Sequence, residues 1–201
     1  MKKILSVMFV VVMIITLSAC KTNNTHDSLE GVNQLAEQKI PDIDLMLGCE
    51  WDAENLPDSD YLMIANAAAL YKRDTGEEMP FIFVQQDDNL VNQCYKIDDL
   101  IPVITKYFPF SEKLLRDSFI NSSLYDAQND AVVLLDGWGW NIYPSIHGIT
   151  DNQDGTFDIA YGMYDGGAGS LEYKGVVKAK LYPDGYMQFL SNVIIPTNNA
   201  N

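Results

Sequence analysis

The spacing of apolar residues changes period near Ala131, and that change organises the chain. Upstream, apolar positions recur at helical spacing. After Pro57, Ser59 can cap a helix that carries Tyr61, Ile64, Ala65, Ala68 and Tyr71 on one face and ends at Gly76. A second helix is expected to begin near Asp98 or Asp99, with Leu100, Val103, Ile104 and Tyr107 on its apolar side. Pro102 falls in its first turn, where the missing N–H costs nothing, and the helix stops before Pro109. Ser111 then caps a short third helix that turns Leu114, Leu115 and Phe119 inward, and a further helix is expected around Ser28 to Gln38.

Downstream the period is two, the strand signature. Leu171, Tyr173, Val177, Ala179 and Leu181 alternate with Glu172, Lys174, Lys178 and Lys180. Pro183-Asp184-Gly185 turns the chain, and Met187, Phe189, Val193 and Ile195 continue the alternation on a partner strand. A second hairpin joins Ile142 to Ile149 with the strand of Phe157, Ile159, Tyr161 and Met163 through Asn152-Gln153-Asp154-Gly155. Val132 to Leu135 forms a short, continuously apolar strand, and Met79 to Gln86 and Asn92 to Ile97 can supply others. This order predicts an α+β domain, with N-terminal helices packed on one face of a C-terminal antiparallel meander of about five strands.

Residues ahead of this pattern belong to a different solvent. Lys2 and Lys3 precede an apolar run from Ile4 to Ala19, too short for a spanning helix, which needs about 20 residues, and shaped like an export signal. Leu17-Ser18-Ala19-Cys20 resembles the lipobox of bacterial lipoproteins. The resemblance implies cleavage before Cys20 and a diacylglycerol on its thiol, an anchor in the membrane at its extracytoplasmic face. The expected organisation is a signal peptide at 1–19, a lipidated cysteine with a polar tether at 20–31, one domain at 32–195 and a disordered Asn-rich tail at 196–201.

The formal charge of −15 becomes −17 once Lys2 and Lys3 are removed. Such an acidic chain repels nucleic acid, so no nucleic-acid partner is expected. With Cys20 lipidated, Cys49 and Cys94 remain, either as one disulfide, which would stabilise by about 3 to 4 kcal/mol, or as two separately buried thiols.

Catalytic signatures are sparse. The two histidines are His26, in the tether, and His147, which shares a strand face with Tyr143 and Ser145. No nucleophile elbow, His-Glu-x-x-His, Cys-x-x-Cys, phosphate loop or dinucleotide fingerprint occurs, and no metal or cofactor is expected. Asp151 to Gly155 looks superficially like a calcium loop, but its glycine stands fifth rather than sixth, so it reads as a hairpin turn. Asp165-Gly166-Gly167-Ala168-Gly169 reads as a connection, and the Lys174, Lys178 and Lys180 row as a solvated sheet face.

Asp136-Gly137-Trp138-Gly139-Trp140 places two indoles beside glycines after a strand, an arrangement that can offer flat faces to a sugar ring or equally bury them for packing. Trp138, Trp140 and Tyr143 are therefore the candidate contact residues of a non-enzymatic binding module whose ligand is an unknown protein or glycan. Two alternatives stand beside it: a glycan hydrolase using paired carboxylates such as Asp136 and Asp165, and a structural subunit of envelope assembly.

Tyr107-Phe108-Pro109, Leu114-Leu115-Arg116, Tyr125-Asp126, the tryptophan-containing turn and the two-hairpin end resemble a group of uncharacterised Gram-positive lipoproteins. That resemblance spans residues 95 to 195 or so and implies localisation and fold, with no activity attached.

Overall fold

The computed structural model describes residues 24–87, 90–134, 141–183 and 185–196. The chain divides into two units, 1–35 and 36–201. Among described residues the first unit appears only as the beginning of helix α1 (Asn24–Lys39). Among its described residues the second holds a 3-10 turn at Ile40–Ile43, a one-turn helix α2 (Asp44–Leu47), helices α3 (Asp60–Thr75), α4 (Ile97–Tyr107) and α5 (Glu112–Asn121), and eight strands.

Each helix has a local cause. Gly76 ends α3 in the left-handed conformation at φ 75°, and its N–H reaches the Lys72 carbonyl. The Ser111 hydroxyl accepts the Leu114 N–H at 3.2 Å and starts α5. On α3 the buried stripe is Met63, Ile64, Asn66, Ala67 and Leu70, rotated from the expected Tyr61, Ala65, Ala68 and Tyr71, which are half-buried. With alanines at four positions, 65, 67, 68 and 69, nearly every side of α3 reads as apolar, so periodicity fixes the helix without fixing its rotation.

The fold is α+β, with strands in two four-stranded antiparallel sheets rather than one meander of five. Strands β1 (Ile82–Asp87) and β2 (Leu90–Lys96) form a hairpin, and β2 takes β4 (Ala131–Leu134) as its other neighbour, with β3 (Tyr125–Asp126) outermost. The strand expected to begin the meander thus belongs to this first sheet, because Gln93 to Lys96 supply it with a backbone partner.

The meander itself is β5 (Ile142–Asp151), β6 (Thr156–Asp165), β7 (Leu171–Leu181) and β8 (Met187–Ile195), paired in sequence order. Its inner face buries Phe157, Ile159, Tyr161, Met163, Val177, Ala179, Met187 and Phe189. Phe189 meets Phe108 (ring centroids 6.2 Å apart), which also contacts Trp51 edge-on at 5.3 Å and stacks with Phe110 at 5.8 Å. This aromatic knot joins the end of α4 to the last strand.

Every strand pair of the meander carries one extra residue. The registers leave His147 unpaired between β5 and β6, Glu172 between β6 and β7, and Leu190 between β7 and β8. A bulge reverses the alternation beyond it. Val193 and Ile195, expected inside with Phe189, are accordingly 53% and 46% exposed, and Asn192 is buried instead. Asn192 donates from Nδ2 to the carbonyls of Cys49 (2.8 Å) and Leu47 (3.2 Å), and its backbone bridges Trp51. The Tyr161 hydroxyl lies 2.8 Å from both the Leu47 carbonyl and Asn192 Oδ1.

Candidate functional site

Strand β5 sends Tyr143, Ser145 and His147 to the outer face of the meander, as their two-residue spacing requires. Tyr143 is 50% exposed. Its cross-strand partner is Tyr164 of β6, and the two rings stack with centroids 5.8 Å apart and planes 23° from parallel. His147 approaches from the other side: Nε2 lies 2.9 Å from the Tyr164 hydroxyl and the rings meet edge-on at 6.0 Å.

Two features of the backbone make this possible. His147 is the bulged residue, so it leans across the sheet toward β6 instead of standing upright over its own pair. Gly162 leaves the space it needs, since a Cβ there would lie 2.7 Å from His147 Cε1 and 2.9 Å from Leu171 Cδ1. Leu171 therefore rests on the outer face, where the Glu172 bulge directs it, and not on the inner face that strict alternation gives.

Further across the same face stand Lys174, Lys178 and Lys180, then Val193 and Ile195. Lys178 comes within 4.0 Å of Asp158, and Lys180 Nζ sits 5.1 Å from the Tyr182 ring centroid. The platform offers half-exposed phenol faces and an imidazole, with Lys174 opposite Gly162 on the next strand, while Lys178 and Lys180 stand farther along β7, opposite Asp158 and Thr156. Such a surface can stack a flat or pyranose ring and hydrogen-bond its rim.

Of the residues singled out in the sequence, Tyr143 lies on this platform, whereas Trp138, Trp140 and Asp136 fall outside the described residues, as does Cys20. His147 shares Tyr143's face as the strand pattern gave, and Tyr164 is the member that sequence reasoning did not bring to Tyr143. Counting registers outward from the Asn152–Gly155 turn, where Ile149 faces Ile159, puts Asp165 opposite Tyr143 unless a bulge intervenes.

Asp165 has another task. Its carboxylate accepts the N–H groups of Gly167 (2.6 Å) and Ala168 (2.8 Å), and these bonds hold its pKa below the usual carboxylate range. That direction is opposite to what the general acid of a glycosidase needs and suits only the ionised partner of the pair. Asp154 is likewise committed, accepting from the Thr156 hydroxyl (2.6 Å) and N–H (2.9 Å), and Asp151 accepts the Gln153 N–H at 2.7 Å. These contacts make Asp151 to Gly155 a braced hairpin turn.

Cys49 and Cys94 are free thiols. Cys49 donates to the Met46 carbonyl at 3.6 Å, and Cys94 packs against Ala131 and Val133 in the first sheet. The pair therefore stands as two separate thiols, without the disulfide that their even number also allowed.

Clefts elsewhere among the described residues include two with carboxylates at their rims. One of about 440 Å³ is lined by Glu50, Trp51, Asp52, Asn55, Ser191 and Val193. Its carboxylates are occupied: Asp52 caps the N–H groups of Glu54 and Asn55, and Glu50 accepts from Ile194. The other, about 640 Å³ and shallow, is bordered by Asp58, Asp60 and Asp117. Asp60 accepts from the Ser118 hydroxyl at 2.7 Å, and Asp117 pairs with Lys113. Among the described residues no cluster of three or more His, Cys, Asp or Glu could hold a metal ion, and no helix is long and apolar enough to cross a membrane. Comparison with protein families, with curated protein sequences and with solved structures gives no match.

Proposed function

We propose that this chain is a lipoprotein precursor whose domain, tethered outside the cytoplasm through diacylglycerol on Cys20, binds a partner or a glycan without chemical turnover. The leader supports the address: a basic pair, an apolar run and Leu17-Ser18-Ala19-Cys20 together suit export, cleavage and acylation. Two acyl chains bury enough methylenes, at about 0.8 kcal/mol each, to hold the domain at a membrane or envelope surface.

The observation that carries the binding reading is the Tyr143–Tyr164 stack, half-exposed and steadied by His147 on an otherwise solvated sheet face. Large aromatic faces kept in water and held in one orientation suit recognition better than packing. The hydrolase alternative loses support from Asp165, whose carboxylate is spent on its own loop.

Glycan-array binding of the full chain, compared with a Tyr143→Ala/Tyr164→Ala double variant and a Trp138→Ala/Trp140→Ala double variant, tests the reading. Selective loss in the tyrosine variant supports this platform. Equal binding by all three, or binding by none, sinks it as a glycan surface.

A further inference from the structure

The terminal strand of the first sheet offers a second surface. In the order β1-β2-β4-β3, β1 has no strand beyond it among the described residues. Natural sheets blunt such edges with lysine, proline or bulges. Here Pro80 precedes the strand and Gln86 is a bulge near its end, but the central run Ile82-Phe83-Val84-Gln85 carries no charge and no proline. Phe83 is 70% exposed, Val91 58% and Phe81 40%. Phe83 and Val91 share a face, because Phe83 pairs with Gln93 and Gln85 with Val91, and Phe81 packs edge-on against Phe83 at 5.1 Å. An exposed aromatic pair beside an open backbone edge is the surface that strand addition uses.

Charge decides the occupant. Glu77 and Glu78 precede the strand and Asp87 closes it, with Lys72, paired to Glu78, and Lys96 at the end of β2 as nearby counter-charges, in a chain of net charge −15. A second copy lying antiparallel along β1 would bring each acidic end toward the other's acidic end. We propose that the β1 edge docks an extended, cationic segment of a partner protein, which adds to the first sheet as a fifth strand. Backbone hydrogen bonds supply affinity, Phe83 on β1 and Phe81 just ahead of it receive alternate apolar side chains, and the acidic ends select basic flanks.

The full chain, purified in detergent, is titrated with a peptide of alternating valine and lysine, about eight residues long to span the strand, and with its valine–glutamate counterpart. The lysine peptide is expected to bind saturably, to slow amide exchange within residues 82–87, and to weaken as salt rises from about 0.15 M to about 1 M. Phe83→Lys and, separately, Gln85→Lys are expected to weaken binding about tenfold, with unchanged circular dichroism because both side chains stand in solvent. Equal binding of the glutamate peptide, binding of neither peptide, or protection elsewhere overturns the proposal. So does a concentration-dependent dimer of the unmodified chain that Phe83→Lys dissolves, which would assign the edge to a second copy.

Discussion

His147 and Tyr164 are joined through Nε2 and the phenol oxygen at 2.9 Å because one strand carries a residue more than its neighbour. The bulge places the imidazole over Gly162, so the contact depends on a missing side chain. Gly162→Ala is expected to push the imidazole off Tyr164, destabilise the domain by about 1 kcal/mol, since the crowded atoms are side-chain ends on the outer face, and weaken any ligand held at the Tyr143 platform. Gly148→Ala, whose new methyl meets nothing within 4 Å, should change stability by less than about 0.5 kcal/mol. Urea midpoints of the two variants check the contrast, and equal midpoints would show that Gly162 is not needed for space.

The bulges also explain which parts of the fold were legible in the sequence. Helices α3, α4 and α5 and both C-terminal hairpins follow from periodicity, caps and turn residues, and they stand where those signals put them. Nothing in period-two alternation announces an extra residue, so Leu171, Val193 and Ile195 read as inward and Asn192 as outward, the reverse of their positions. The same blind spot hid Tyr164 as the partner of Tyr143. Sheet membership of β4 was hidden for another reason: a four-residue apolar strand fits either sheet, and its long-range partner β2 decides.

Where the Leu190 bulge turns Asn192 inward, a polar knot forms that the inner face cannot lose cheaply. Gly175 faces Tyr161 across the strands, and a Cβ on it would stand 2.3 Å from the phenol oxygen. Gly175→Ala should therefore displace Tyr161 from Leu47 and Asn192, destabilising by about 3 kcal/mol. Asn192→Ala, which takes the side-chain donor from the Cys49 carbonyl and leaves the Leu47 carbonyl to the Tyr161 hydroxyl alone, should lose about 2 kcal/mol. Chemical denaturation measures both, and losses under about 0.5 kcal/mol would mean that water replaces the knot.

Acid stability is expected to hinge on Asp74. Burial opposes its ionisation, but hydrogen bonds from Lys106 (2.5 Å), Tyr107 and Arg73 (3.1 Å) outweigh that and bring its pKa down to about 2. A folded-state pKa below the unfolded value of 3.8 stabilises the fold above pH 4 or so, and the gain fades as pH falls toward 2. Partly screened by solvent, it amounts to about 1 to 2 kcal/mol. Asp74→Asn should remove that much at neutral pH and flatten the stability curve between about pH 4 and pH 2. A variant curve parallel to the parent's throughout that window would refute the assignment.

The three cysteines turn the proposed anchor into a count. Burial, then the charge of Asp58, pushes the Cys49 thiol up to about 11, and burial, then Asp126, raises Cys94 as well. Neither thiolate is therefore populated in the folded domain at about pH 8, and a disulfide-exchange reagent should find both slow. Denaturation exposes them. If Cys20 carries a thioether to diacylglycerol, two thiols react after unfolding of protein taken from the membrane fraction, whereas an unprocessed chain gives three. Three reactive thiols in the membrane-derived protein, with an intact mass that retains Met1, would defeat the lipoprotein reading while leaving the platform at Tyr143 and the edge at Phe83 to be tested by their own binding assays.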